Sequence, residues 1–305
     1  MINITYEGAD ITNYIQIRSC IVRDTAGSRC DSLALELENA AGLERWGLSE
    51  DDQIIVDRDG YDSGIMYVNT VQADEGRYRI YATSLPCKAR QKGYDSFINK
   101  TIGEIIEYCA AYSGMEYAIY GLDQDTVIPY IERSNEGYAA FLSRFLGLEG
   151  AVLKCVNGKY TAIGIEYAQD IPVMNTLRIS TVQKGMQYSR NGITYRGLSV
   201  INAYVDVTAE DTNIPDDHVW LTKNLPAVNT VQASRWARGM LMKLNRESEF
   251  VYLKSNYNPG LTAMIRIDIE SMMESAGEWL VEEVEHDLKN LKTTATLRRC
   301  IRTIR

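Results

Sequence analysis

The sequence predicts a mainly β protein of the α+β class, with two β domains flanking a small α/β insertion. Three observations carry that expectation. Apolar and polar residues alternate with period two near both ends of the chain. Helix start and stop signals cluster between residues 100 and 150. The strand pattern of the first β region returns in the last. At 305 residues and 34.4 kDa the chain suits two or three domains, and 45% hydrophobic against 24% charged residues is enough to build a core. The expected divisions are 1–84, 85–168 and 169–305, the last with a loop and helix insertion at about 208–246.

Residues 1–84 read as strands and tight turns. Ser32-Leu33-Ala34-Leu35-Glu36-Leu37-Glu38 alternates as a strand with one covered face. Ile54-Ile55-Val56 runs into Asp57-Arg58-Asp59-Gly60, a hairpin signal, and Ile65–Val68 and Tyr78–Tyr81 continue an antiparallel meander or barrel.

After Pro86 the pattern changes. Thr101-Ile102-Gly103-Glu104 is a capping box opening a helix, with Ile102, Ile105, Ile106 and Cys109 on one side and Gly114 as its stop. A second helix is expected from Ser134 to near Gly147, with Tyr138, Phe141, Leu142 and Phe145 at helical spacing. Asn157-Gly158 between β-prone runs predicts a hairpin over 152–165, which makes this unit helix–helix–hairpin.

Strands resume at Leu177–Gln183, Gly185–Arg190 and Ile193–Val207, with a turn at Asn191-Gly192. Residues 208–229 read as loop. A helix over 230–244 places Ala233, Ala237, Met240, Leu241 and Leu244 on one stripe, and strands run from there to the end.

The echo is the most informative pattern. Gly64–Asp74 lies over Gly277–Asp287 at an offset of 213, matching Gly64/Gly277, Val68/Val281, Val71/Val284 and Asp74/Asp287. Upstream, Leu33–Asn39 resembles Phe250–Asn256. A strand, the Gly-led strand and a terminal strand then follow in the same order in both regions, which suggests a duplicated β domain.

Composition narrows the chemistry. The net charge of −9 disfavours a general nucleic-acid coat or an anionic-membrane binder, since either needs a dominant basic face. Only two histidines, His218 and His286, are present, and no nucleophile-elbow, zinc-protease, P-loop or dinucleotide motif occurs. Asp57, Asp59 and Asp62 fail as a calcium loop, because glycine and glutamate fall at the wrong positions. The row Glu282, Glu283, Glu285, His286, Asp287 reads as a strand, with Glu283, Glu285 and Asp287 on one face and Glu282, Val284 and His286 on the other. Asp216-Asp217-His218 reads as a surface turn. No catalytic, cofactor-binding or metal-binding residue is therefore assigned, and the chain is not expected to be an enzyme.

The six cysteines have no metal-ligand spacing, and a Cys20–Cys30 disulfide stays open. The start MINITYEGAD lacks the basic and apolar regions of a signal peptide, and no apolar run approaches the roughly 18 residues of a bilayer span, so a reducing cytoplasm is expected. The end of the chain is basic, with Lys289, Lys292, Arg298, Arg299, Arg302 and Arg305 against Asp287; solvated charge and a docking end for an acidic partner are the two readings. Twenty tyrosines against four Phe and four Trp fit sheet faces that meet neighbours.

This order of elements resembles the baseplate hub of contractile phage tails, the late control protein D family. The residues that carry the resemblance are Gly8-Ala-Asp10-Ile-Thr12, Asp24, Asp31-Ser-Leu33-Ala-Leu-Glu-Leu37, Asp51-Asp-Gln-Ile54-Ile-Val56, Gly64-Ile-Met-Tyr-Val68, Lys100-Thr101-Ile102-Gly-Glu104-Ile105, the 134–147 segment with Phe141-Leu142, and Val281-Glu-Glu-Val284-Glu-His286-Asp287-Leu288. Tailocins and related contractile injection systems are a similar setting. The resemblance implies two tube-protein-like β-barrel domains and a homotrimer joining a hexameric tail tube to a trimeric central spike. Its partners would be the tail tube protein, the spike protein, other baseplate proteins and the tape measure protein. It implies neither sequence-specific nucleic-acid binding nor stable membrane association. Assembly in the host cytoplasm would be followed by residence in the baseplate. Two other classes stay open: a peptidoglycan hydrolase, and a carbohydrate-binding tail component using Trp46 or Trp220.

Overall fold

The computed structural model describes residues 1–27, 29–38, 47–74, 76–178, 186–190, 192–271 and 274–305. The protein is mainly β, with 50% strand and 19% helix, as the alternation of its two ends predicts.

The first region folds as β1 (Asn3–Tyr6), β2 (Ala9–Asp10), β3 (Gln16–Thr25), β4 (Ser32–Glu38), β5 (Gln53–Arg58), β6 (Tyr61–Asp62), β7 (Met66–Asp74) and β8 (Arg77–Thr83). β4 spans the residues whose alternation announces it, with Leu33, Leu35 and Leu37 buried between half-exposed neighbours. The β5–β6 hairpin turns at Asp59 and Gly60, both at positive φ (45° and 92°), the conformation a tight hairpin turn demands. These strands enclose a core of Ile4, Val22, Leu35, Val56, Met66, Val68 and Ile80.

The middle region holds α1 (Cys87–Arg90), β9 (Gly93–Thr101), α2 (Ile102–Ser113), β10 (Glu116–Tyr120), β11 (Val127–Glu136), α3 (Tyr138–Leu148), β12 (Ala151–Val156), β13 (Lys159–Gly164) and α4 (Ile165–Asp170). Local chemistry fixes α2: Thr101 and Glu104 close a reciprocal capping box, and Gly114 ends the helix at φ 70°. The Asn157-Gly158 hairpin joins β12 to β13. Two expectations need correction. The second helix begins at Tyr138, not Ser134, because residues 134–136 finish β11 in a ladder with β9, and Gly137 then caps the helix. The unit also contains β9, β10 and β11, which pair with partners distant in sequence and so leave no short-range signature.

The last region comprises β14 (Asn175–Arg178), β15 (Met186–Arg190), β16 (Tyr195–Ile201), β17 (Asp206–Glu210), β18 (Val219–Lys223), α5 (Thr230–Glu247), β19 (Glu249–Asn256), β20 (Arg266–Glu270), β21 (Gly277–Asp287) and β22 (Lys292–Arg299). The segment read as loop at 208–229 carries β18 and the end of β17, which sandwich β16 in a small sheet. The expected strand at 177–183 reaches only Arg178 within the described residues, and residue 191 of the expected turn lies outside them. α5 starts at an Asn229 cap and buries Ala233, Trp236, Ala237 and Leu241. That stripe packs into one core with Phe141, Leu142 and Phe145 of α3, each such side chain contributing about 2 kcal/mol. The helices approach closely because Gly239 faces Leu148 and Gly150; a Cβ there would lie 2.3 Å from the Leu148 carbonyl oxygen.

A single antiparallel path runs β15-β19-β22-β21-β3-β4-β8-β7, continuing through β5 and β1. The two echoed regions are therefore halves of one sheet. No helix among the described residues is long and apolar enough to cross a membrane.

Candidate assembly surface

The echo holds in three dimensions, with one correction: through the ladders Leu33 corresponds to Val251 and not to Phe250, so the upstream strands match one residue further along. β3-β4-β8-β7-β5 and β15-β19-β22-β21-β20 have the same chain order and the same antiparallel neighbours. Both Gly-led strands carry a β-bulge at the same place: register shifts between Val68 and Thr70 on β7, and between Val281 and Glu283 on β21. Gly64 and Gly277, four residues before each shift, both have positive φ, at 63° and 112°. A bulge bends and twists its strand, so a matched pair gives both halves the same curvature.

Beyond the bulge the halves differ. On β21, residues 283–287 pair with β22 on one side and with β3 on the other, where Glu283 faces Thr25, Glu285 faces Arg23 and Asp287 faces Ile21. On β7, residues 70–74 pair with β8 alone among the described residues, and Thr70, Gln72, Ala73 and Asp74 are exposed. At the far end β15 pairs only with β19 among the described residues. The sheet thus leaves two strand edges without a neighbour among the described residues: β15 at one end, and the outer half of β7 beyond its short pairing with β5.

One face of this sheet covers the cores; the other is polar and of alternating charge. Arg23 meets Glu285 at 2.8 Å across the joint, and Arg29 meets Glu283 at 3.6 Å. Arg18 bridges Glu38 at 3.1 Å and Glu36 at 3.8 Å, and Arg79 reaches Glu36 at 3.6 Å. Such part-exposed pairs are worth about 0–1 kcal/mol each, so they give the face its wetted, nearly neutral character more than its stability.

Beneath the joint lies a buried ion triad. Lys154 of β12 binds Asp24 of β3 and lies 3.7 Å from Asp31. Asp24 also accepts from the Ala263 amide at 3.1 Å, and Asp31 from the Thr25 amide at 2.8 Å. The triad therefore ties together the first β region, the α/β unit and the last β region. Burial pushes the Asp31 carboxyl up to about 7 against the pull of Lys154, with the Asp24 charge adding to the rise. Burial works against the Lys154 charge too, but the two carboxylates outweigh it and hold the ammonium above its usual range. Nothing in the sequence pairs these residues, because they come from different regions and Lys154 sits among β-prone neighbours as an ordinary strand lysine.

The structure scatters the residues weighed as possible sites. Asp57 accepts from Asn3 at 2.8 Å, Asp59 pairs with Arg58 at 3.1 Å, and Asp62 accepts from the Gly64 amide at 2.8 Å. Glu283 and Glu285 lie on the polar face as expected. Glu282 does not share the buried face of Val284 and His286, because it sits in the bulge and pairs with Arg298 at 2.7 Å. His286 is fully buried, with Nε2 3.0 Å from the Leu261 carbonyl and Nδ1 3.0 Å from the Thr293 hydroxyl, which can donate or accept. Burial lowers its pKa against the opposing pull of the Leu261 carbonyl and the Asp24 charge, which favours the neutral ring. Asp217 and His218 sit side by side at 3.3 Å, and Asp216 pairs with Arg196 at 2.8 Å. Of the basic end, Arg298, Arg299 and Arg302 are engaged within the chain by Glu282, Glu249 and Glu278. Trp220 is half-exposed but lies over Gly197, where a side chain would collide with its ring; Trp46 is outside the described residues. All six cysteines are free thiols. Among the described residues, no group of three or more His, Cys, Asp or Glu side chains is arranged to hold a metal ion.

Comparison with known proteins adds the fold. No protein-family model matches the sequence, and no curated protein matches it. Solved structures do. The 43 kDa tail protein of prophage MuSo2 from Shewanella oneidensis superposes with a TM-score of 0.74 at 13% identity, covering 98% of each chain. A tail protein from Neisseria meningitidis gives 0.77 at 10% identity over 98% of this chain and 96% of that one. A component of the type VI secretion system from E. coli gives 0.60 at 12% identity over 96% and 76%. The chain shares the fold of these tail proteins along nearly its whole length.

Proposed function

We propose that this chain is a structural hub of a contractile phage-type tail: a homotrimer that joins a hexameric tail tube to a trimeric central spike and has no catalytic role. The observation that carries the reading is the unequal pair of strand edges. Within the chain, β3 docks on the outer half of β21. β15 is the counterpart of β3, and the outer half of β7 is the counterpart of the outer half of β21. The same joint made between copies would seat β15 of one chain on β7 of the next, a strand addition that covers both edges. That contact is heterologous, and identical heterologous contacts form a ring where the rotation from copy to copy closes, here after three copies. Two repeats per chain then give six in a trimer, the number a sixfold tube requires.

The shared fold supports this reading, as does the polar, charge-balanced open face, which suits the wall of a wet channel. The same proposal takes 1–84 and 169–305 as tube-like β-barrel domains around the 85–168 unit. It also takes the tube, spike, tape measure and other baseplate proteins as partners, with residence in the baseplate after cytoplasmic assembly.

The test is direct. Carrying the Ile21–Asp287 opposition over to the counterpart strands sets Gln187 of one copy opposite Asp74 of the next. Facing residues in a ladder have Cβ atoms about 4.5–5.5 Å apart. The double variant Gln187→Cys, Asp74→Cys treated with a short bis-maleimide, which adds one thiol at each end, should give covalent trimers, and neither single variant should. A chain whose measured mass stays that of one copy, alone and with tube and spike proteins, would sink the reading.

A further inference from the structure

Arg246, in the last turn of α5, is 7% exposed, and its Nε has no hydrogen-bond partner. Arg90 and Arg266 also bury an Nε without an acceptor, yet each donates through another guanidinium nitrogen, to Asn69 and to the Gln169 carbonyl respectively, and the Nε of Arg196 pairs with Asp216 at 2.8 Å. Arg246 makes no side-chain hydrogen bond or ion pair among the described residues. The carboxylate that acts on it most strongly, Glu282, is already held by Arg298 at 2.7 Å. A guanidinium stays charged at any physiological pH, and a buried charge wants a counter-charge.

The side chain lines a cleft of about 370 Å³ between α3, the end of α5 and the bulged stretch of the β21–β22 ladder. The cationic groups on its wall are Arg29, Lys243, Arg246 and Arg298, and the anionic ones are Glu247, Glu282 and Glu283. One positive charge is in excess. Arg29 and Arg298 are spoken for by Glu283 and Glu282, whereas Lys243, one turn before Arg246 and exposed, has no ion-pair partner among the described residues. The cleft shares Gly27, Arg29 and Ser143 with a second cavity of about 550 Å³, whose wall is largely apolar: Leu85, Ala89, Ala139, Ala140 and Leu153.

We propose that the cleft binds a carboxylate side chain of a partner protein, on a segment whose adjacent apolar residue fills the neighbouring cavity. Arg246 and Lys243 take the carboxylate, and the single excess charge suits a monoanion better than a phosphate dianion set among three glutamates. The site stands independently of ring closure, since it involves neither strand edge.

The experiment titrates the full-length protein with the acetylated, amidated peptide Ala-Leu-Glu-Leu-Ala, its glutamine counterpart, and inorganic phosphate. Calorimetry and the Arg246 Nε–H resonance are the readouts. The glutamate peptide should bind at least tenfold more tightly than the other two and move the resonance. Arg246→Met should fold with an unchanged or raised Tm and lose that preference, and Lys243→Ala, at an exposed position, should weaken it severalfold. Equal binding of the glutamine peptide, phosphate binding as tight as the glutamate peptide, no binding at all, or an Arg246→Met protein that is much less stable without ligand would each overturn the proposal.

Discussion

β7 and β21 hold the same place in two repeats that share strand order, a bulge and a leading left-handed glycine, yet the second half of each strand has a different environment. On β21 it is covered by β3, and Val284 and His286 are fully buried. On β7 the matching stretch is bare on its outer side among the described residues, and Val71, the counterpart of Val284, is only half-buried. What docks beside a strand decides its burial as much as its own pattern does.

The largest effect that would break this comparison is expected at the triad. Lys154→Met keeps the stem but leaves Asp24 and Asp31 without their cation, at a cost of about 3–5 kcal/mol in urea unfolding at pH 8. A cost under about 1 kcal/mol would mean that the strand joint alone unites the two halves.

Next come the twin valines. Val284→Ala should cost about 2–3 kcal/mol, and Val71→Ala less than about 1 kcal/mol in the isolated chain. Equal losses would erase the distinction between the edges. Repeating Val71→Ala in assembled particles sharpens it, because a covered β7 edge raises the loss toward that of Val284.

A pH comparison follows. The folded-state pKa of Asp31 is about 7, above its ordinary 3.8, so its contribution to stability is fully present below about pH 4 and is lost as pH rises through 7. Asp31→Asn does not titrate and should therefore gain on the wild type between pH 5 and pH 8, read from urea midpoints. A constant difference across that range would contradict the buried triad. The smallest effect belongs to the polar face: Arg23→Ala removes a part-exposed pair with Glu285 and should cost about 0–1 kcal/mol, less still in high salt.

Local signals were legible wherever a few neighbouring residues settle the structure. Thr101, Glu104 and Gly114 announce α2 because a capping box and a left-handed stop are chemistry within one turn. Asn157-Gly158 announces its hairpin for the same reason. β9 and β11 were not legible: Tyr94 pairs with Ser134, forty residues away, and that pairing overrides the helix start suggested by Ser134. The bulge at Glu282 was also invisible in one strand read alone, since it is defined by two residues facing one on β22.

The sequence by itself determined the β character of both ends, the main helices and their boundaries to within a few residues, and a duplicated strand order, because hydrophobic period and caps are written in consecutive residues. Only the tertiary structure decided that the two repeats form one sheet, that one edge is covered and its twin is bare, and that Asp24, Asp31 and Lys154 meet. Those are relations between segments more than one hundred residues apart, and they arise from burial and pairing that no local pattern encodes.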